Sequence, residues 1–391
     1  MQLKEPQEVL LMGPGPSPVH PEVLHAMSWN TLGHLDPDFM EIMNQTTDLI
    51  RYVFETENQV TLPISGTGSA GMEAALVNML EPGDKAIICV NGVFGTRMAD
   101  VASRCGAEVI EVKAQWGSPI EYEDVKKALQ ANDNVKIVGI VHAETSTGVM
   151  QSLEPIVEVA HQYDALVIAD TVTSLGGLPV KVDQRGLDVV YSGTQKCISC
   201  PPGLAPLTLN ERALAAFKAR KNAVQSWYLD LSMLTRYWGE ERFYHHTAPV
   251  NMIYALFAAL TLIKEEGLQA RFDRHLLNSK ALVKGFESLG LEMLTPETYR
   301  LPSLHAVKIP EGVNDTDVRG RLRKEHNIEI GGGLGPFKGN VWRVGLMGHG
   351  SQQANVERLL NSLAEVLQSL GHNCSGKEAI AAAEQVYKAD S

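Results

Sequence analysis

Ala165-Leu166-Val167-Ile168-Ala169-Asp170-Thr171 and, further on, Asp188-Val189-Val190-Tyr191-Ser192-Gly193-Thr194-Gln195-Lys196 are the two stretches that decide the fold. Each is a short apolar run, rich in β-branched residues, that ends abruptly in ionisable and hydroxyl side chains. Apolar runs of this length without polar alternation predict strands buried on both faces. The pattern recurs upstream at Lys85–Val90, Glu108–Val112 and Val135–Val141, with helical periodicity between most of the runs, and near 37–54 and 69–80. Strands alternating with helices predict an α/β fold: a large domain with a mostly parallel sheet covered by helices.

Ligands of an open parallel sheet bind beyond the carboxyl ends of its strands. Val90 is followed by Asn91-Gly92-Val93-Phe94-Gly95, and Val141 by His142-Ala143-Glu144-Thr145-Ser146-Thr147-Gly148. Asp170-Thr171 and Ser192-Gly193-Thr194-Gln195-Lys196 close the two strands quoted above. One edge therefore gathers an aromatic ring, several hydroxyls, a carboxylate and a lysine, and buried polar groups of that kind need partners. For Asp170 and Lys196 alone, a mutual ion pair or a helix cap is a sufficient explanation. With Phe94 and the hydroxyl-rich loops, the set fits a ligand with a ring, a basic nitrogen and a phosphate. Pyridoxal phosphate has all three, and its chemistry uses a lysine and an acid facing the pyridine nitrogen.

Ser65-Gly66-Thr67-Gly68-Ser69-Ala70-Gly71 precedes the predicted helix 69–80. Glycines let backbone N–H groups approach an anion at a helix N-terminus. The same string satisfies Gly-x-Gly-x-x-Gly, but a dinucleotide site asks for an acid at the end of the next strand, where Asn91-Gly92 stands. A single phosphate suits it better, with an ordinary serine-capped glycine turn as the alternative.

Outward from this region, the arm 1–20 contains Gly13-Pro14-Gly15-Pro16-Ser17-Pro18, which neither helix nor central strand accommodates, and it reads as extended. The large cofactor domain spans 21–266. After the amphipathic run Val250–Glu266, Gly267 is a helix stop. Residues 267–371 read as a smaller α+β domain: a helix over 272–289, strand around 304–309, helix at 315–326, strands near 327–330 and 341–346, and a helix over 354–370. The polar, Ala-rich tail 372–391 reads as one further helix. The chain carries 34 basic and 46 acidic side chains, a formal charge of −12. That field repels phosphate backbones and anionic lipid, so neither nucleic acid nor a membrane is an expected partner. No apolar stretch reaches the ~20 residues of a membrane span, and the first eight residues lack the apolar core of a signal peptide. Five scattered cysteines fit a reducing compartment, and the cytoplasm is the expected location.

The ordered blocks Gly13-Pro14-Gly15-Pro16, Ser65-Gly66-Thr67-Gly68, Glu144-Thr145-Ser146-Thr147-Gly148-Val149, Ala169–Gly177, Tyr191–Lys196, Pro201-Pro202-Gly203, Tyr244-His245-His246-Thr247 and Arg343–Gly348 resemble those of the fold-type I, class V pyridoxal-phosphate aminotransferases. Within that family, the likeness is to the alanine–glyoxylate and serine–glyoxylate (serine–pyruvate) enzymes. The resemblance implies transamination of a small amino acid, alanine or serine, with glyoxylate or pyruvate as acceptor. It makes Lys196 the Schiff-base lysine and proton-transfer base, and Asp170 the partner of the pyridinium. Thr145 would donate to the ring hydroxyl, while Phe94 and Val172 pack on opposite ring faces. Thr67, Gly68, Ser69 and Gln195 would hold the phosphate, and Gly15 would lie at the substrate. Tyr244 and Thr247 would reach the phosphate of a neighbouring subunit, with the Gly13–Pro18 arm also lying over that subunit, in a homodimer with shared sites.

In Val341-Trp342-Arg343-Val344-Gly345-Leu346, period two separates Trp342, Val344 and Leu346 from Arg343 and Val341. An arginine inside such a strand calls for a fixed anion; its fork matches a substrate carboxylate, with a structural ion pair as the alternative. No metal is expected: adjacent His245 and His246 should point to opposite faces, and Cys197-Ile198-Ser199-Cys200 lacks two further ligands. Those two cysteines read as inert buried thiols, with a redox role as the alternative. Three other functions compete: a cysteine desulfurase, disfavoured by Gln195 and Phe94 where histidines are typical; a nucleotide-dependent oxidoreductase, disfavoured by Asn91-Gly92; and a non-catalytic interaction protein, which predicts losses at the site.

Overall fold

The computed structural model describes residues 5–390. Its main sheet runs, in spatial order, Val60–Ser65, Leu204–Leu209, Val189–Tyr191, Leu166–Asp170, Val135–Val141, Lys85–Val90 and Glu108–Lys113. The last five are parallel throughout, as crossover helices require, while Leu204–Leu209 runs antiparallel to both neighbours. The expected α/β class and mostly parallel sheet are therefore what forms.

Two strands of this sheet were not anticipated, Val60–Ser65 and Leu204–Leu209. Each contains a proline, which speaks against a central strand. Pro63 lies on Val60–Ser65, the strand that ends the sheet, where a missing N–H is tolerated; opposite it in the register stands Pro206, on a strand paired on both sides.

Helices follow the sequence signals closely. Pro37–Phe54 begins at Asp36, whose carboxylate accepts from the Asp38 N–H at 2.9 Å, and has Pro37 in its first turn. Val250–Glu266 stops at Gly267, φ +83°, a conformation glycine adopts without a Cβ penalty. One apolar core joins the main sheet to helices including Gly68–Met79, Val93–Arg104 and Val250–Glu266. A second is built from Leu268–Ser288, Gln353–Ser369, Gly376–Asp390 and the strands Leu304–Lys308 and Val341–Gly345. Trp342, Val344 and Leu346 all lie in this second core, the face that period two assigned to them.

The N-terminal arm is anchored within its own chain. Leu10–Leu11 pairs in parallel with Ile328–Glu329 of its own chain, and the Gly345 N–H donates to the Met12 carbonyl at 2.8 Å. Residues 10–17 thus pack on distant segments of their own chain. Local sequence cannot reveal this, because the partners lie some three hundred residues away.

Candidate active site

Adjacent parallel strands bring Asp170 and Tyr191 into register, so their side chains meet at the carboxyl edge. The Tyr191 hydroxyl donates to Asp170 Oδ2 at 2.7 Å, and the Val172 N–H donates to Oδ1 at 2.9 Å. Burial still pushes the Asp170 carboxyl up from the ordinary range, with these two donors and the charges of Lys196 and Arg97 pulling the other way. Each oxygen keeps acceptor capacity for a further donor.

Lys196 is nearly buried, and burial, followed by the charge of Arg343, lowers its amine to about 8. Its Nζ donates to the Pro14 carbonyl. Ser17 fastens the same loop: its Oγ donates to the Lys196 carbonyl at 2.6 Å and its N–H to the Gln195 carbonyl at 2.9 Å. Gly15 lies against the lysine, and a Cβ there would sit 2.8 Å from Lys196 Nζ. That closeness, together with φ +111°, demands glycine at position 15.

A cavity at this edge is lined by Thr67, Gly68, Ser69, Met72, Phe94, Arg97, Asp170, Val172, Gln195 and Lys196. Helix Gly68–Met79 points its N-terminus there; the Ala70 and Gly71 N–H groups donate to the Thr67 carbonyl, which leaves those of Gly68 and Ser69 for an anion. Gln195 Oε1 is buried without a hydrogen-bond partner among the described residues, as befits a side chain that waits for a ligand. A carboxylate, a low-pKa amine, an aromatic ring and a glycine cradle together fit a phosphorylated pyridine aldehyde.

Glu144 is fully buried, and burial pushes its carboxyl up. Its carboxylate accepts from the Phe94 N–H at 3.1 Å, the Ser146 N–H at 3.0 Å and Ser146 Oγ at 2.6 Å. Glu144 thereby sets the start of helix Val93–Arg104 and with it the Phe94 ring. Any Cβ on Gly92 would come within 2.4 Å of this carboxyl group, which accounts for the Asn91-Gly92 turn. Arg343, on Val341–Gly345, reaches across from the second core: its Nε donates to the Gly332 carbonyl at 2.7 Å and its Nη1 to the Thr145 carbonyl at 3.4 Å. Neither contact is a carboxylate, so its charge is available for an anion.

The sequence profile of the family Aminotransferase class-V matches residues 9–375. This chain belongs to that family. Over 396 aligned residues it is 38% identical to the (S)-ureidoglycine–glyoxylate transaminase of Bacillus subtilis, covering 97% of this chain and 95% of the relative. It is 39% identical to the alanine–glyoxylate aminotransferase of Rattus norvegicus, over 93% of this chain and 89% of that one. Among solved structures, the alanine–glyoxylate aminotransferase of a Nostoc species superposes with a TM-score of 0.92 at 47% identity, covering 94% of this chain and 98% of the other. The large helix-covered sheet is that of the fold-type I aminotransferases.

Of the residues predicted for this class V aminotransferase, Thr67, Gly68, Ser69, Phe94, Asp170, Val172, Gln195 and Lys196 converge on one cavity. Thr145 and Arg343 meet each other just outside it, and Gly15 covers Lys196. Tyr244 and Thr247 do not line it. They lie on a loop whose His246 Nε2 is 2.7 Å from Ser65 Oγ, and Tyr244 is exposed. His245 and His246 do not diverge as expected, since their Nδ1 atoms are 2.8 Å apart. Cys197 is buried, and burial raises its thiol to about 11, which opposes thiolate chemistry.

Sequence reasoning missed the contacts that Tyr191, Glu144 and the Pro14 carbonyl make with Asp170, Phe94 and Lys196. For Tyr191, a signal existed: parallel strands ending together place Asp170 and Tyr191 side by side.

Proposed function

We propose that this class V aminotransferase carries an amino group from a small amino acid, alanine first, to glyoxylate, using pyridoxal 5′-phosphate tethered at Lys196. The observation that carries the reading is the convergence of Lys196, Asp170, Phe94 and the Gly68 cradle on one cavity. When bound, the cofactor supplies an electron sink that acidifies the substrate α-C–H.

The chain's own residues do the rest. With its amine near 8, a useful fraction of Lys196 is neutral at physiological pH and able to take and return the α-proton. Asp170, held by Tyr191 and Val172, keeps a proton on the ring nitrogen by accepting it as a hydrogen bond. Phe94 and Val172 would hold the ring, Thr145 would donate to its hydroxyl, and Thr67, Gly68, Ser69 and Gln195 would hold the phosphate. Arg343 grips the substrate carboxylate, and the backbone at Gly15 closes over the lysine. Tyr244 and Thr247 complete the phosphate site of a second copy in a homodimer.

A second donor, (S)-ureidoglycine, is favoured by the name of the Bacillus subtilis relative; serine is a third. All three readings share glyoxylate as acceptor. Half-reactions of the purified protein with alanine, serine, (S)-ureidoglycine, glutamate and aspartate, followed by cofactor absorbance, test them. Alanine should convert the aldehyde form fastest, and glyoxylate should restore it. Fast conversion by glutamate or aspartate alone would sink the proposal, since dicarboxylic donors need a second cationic site.

A further inference from the structure

Arg97 is the cation in the cavity that the roles above leave unused. It sits one helical turn after Phe94 on Val93–Arg104, with its guanidinium carbon 4.9 Å from the Phe94 ring centroid and Nη1 3.3 Å from Ser69 Oγ. Its near contacts among the described residues are thus a ring and a hydroxyl, with no carboxylate at ion-pair distance. It also faces the N-terminus of Gly68–Met79, itself a positive pole with an uncapped first turn. Two positive poles on one side of a small cavity repel each other unless an anion lies between them. A guanidinium also offers a planar fork of donors suited to phosphate oxygens.

We propose that Arg97 is a phosphate-binding residue of the cofactor site, held by the Phe94 ring so that its fork closes over the anion seated at Gly68 and Ser69. This rests on the reading of the cavity as a pyridoxal 5′-phosphate site and adds a residue to it. In this role Arg97 discriminates phosphorylated from unphosphorylated aldehyde, because pyridoxal offers the fork no anion.

The test uses full-length wild type, Arg97→Ala and Arg97→Lys, each freed of cofactor and titrated with pyridoxal 5′-phosphate and with pyridoxal. Binding is read by absorbance, and folding by circular dichroism. Arg97→Ala should weaken the phosphorylated aldehyde about tenfold to a hundredfold, the worth of charge-assisted bonds, and leave pyridoxal unchanged. Arg97→Lys should fall between, and inorganic phosphate should compete less well against Arg97→Ala than against wild type. Unchanged affinity for the phosphorylated aldehyde, or equal losses for both aldehydes, would overturn the role of Arg97 while leaving the cavity reading intact. Wild type that binds neither aldehyde would instead overturn the cavity reading, and the Arg97 role with it.

Discussion

Burying Lys196 costs stability, and replacing it should show how much. Its amine falls from the ordinary 10.5 to about 8. At pH 7, protonating the amine in its buried setting rather than in the unfolded chain costs about 3 kcal/mol. Lys196→Met keeps the chain length and removes the charge. The variant loses the bond to the Pro14 carbonyl, worth about 1 kcal/mol, so a net gain of about 2 kcal/mol remains. For a chain this long the unfolding entropy is about 0.8 kcal/mol/K, which makes the gain a rise in Tm of about 2–3 °C. The sign with pH follows from proton counting. Between pH 8 and 10.5 the unfolded lysine binds more protons than the folded one, so wild-type stability climbs through that window. The variant has no such climb, and the gap should close by the upper end. Scanning calorimetry of cofactor-free wild type and variant from pH 7 to 10.5 measures it. A variant less stable at pH 7, or a gap independent of pH, would refute the argument that burial sets the lysine's proton affinity.

Tyr191→Phe removes one of the two donors to Asp170, so the carboxyl should rise further above its ordinary range. The acid limb of the kcat/KM profile should move to higher pH, with about a tenfold to hundredfold loss at the acid end; an unmoved limb would exclude Asp170 as the titrating group. Arg343→Lys should raise KM for the amino donor by about tenfold or more with little change in cofactor affinity, because a point charge replaces the fork. An unchanged KM would assign the carboxylate elsewhere. Mixing Lys196→Ala protein with Tyr244→Ala/Thr247→Ala protein should regenerate about a quarter of wild-type activity, one intact site in each mixed dimer. No recovery despite verified subunit exchange would show that each chain builds its own site.

The sequence alone determined the α/β class, the helices, and the edge at which the chemistry gathers. Strands buried on both faces must be apolar runs, and the residues that end them are polar only where a ligand or partner compensates. Lys196, Asp170, Phe94 and the Gly68 cradle were legible for that reason, and the isolated arginine in Val341–Gly345 for the same one. What only the tertiary structure decided were contacts between segments whose local sequence carries no trace of the partner. Pro63 and Pro206 hid two strands until the register set them opposite each other, Pro63 on the edge strand and Pro206 on its inner neighbour. Glu144 fixes the Phe94 backbone, and the Arg343 guanidinium meets the Thr145 carbonyl, across gaps that no periodicity spans. The arm reads as an extended Gly-Pro segment, yet it is Pro14, Gly15 and Ser17 that hold and cover Lys196. Periodicity reports which face of an element is buried. What it is buried against is settled only when distant elements pack together, and the site's electrostatics follow from that packing.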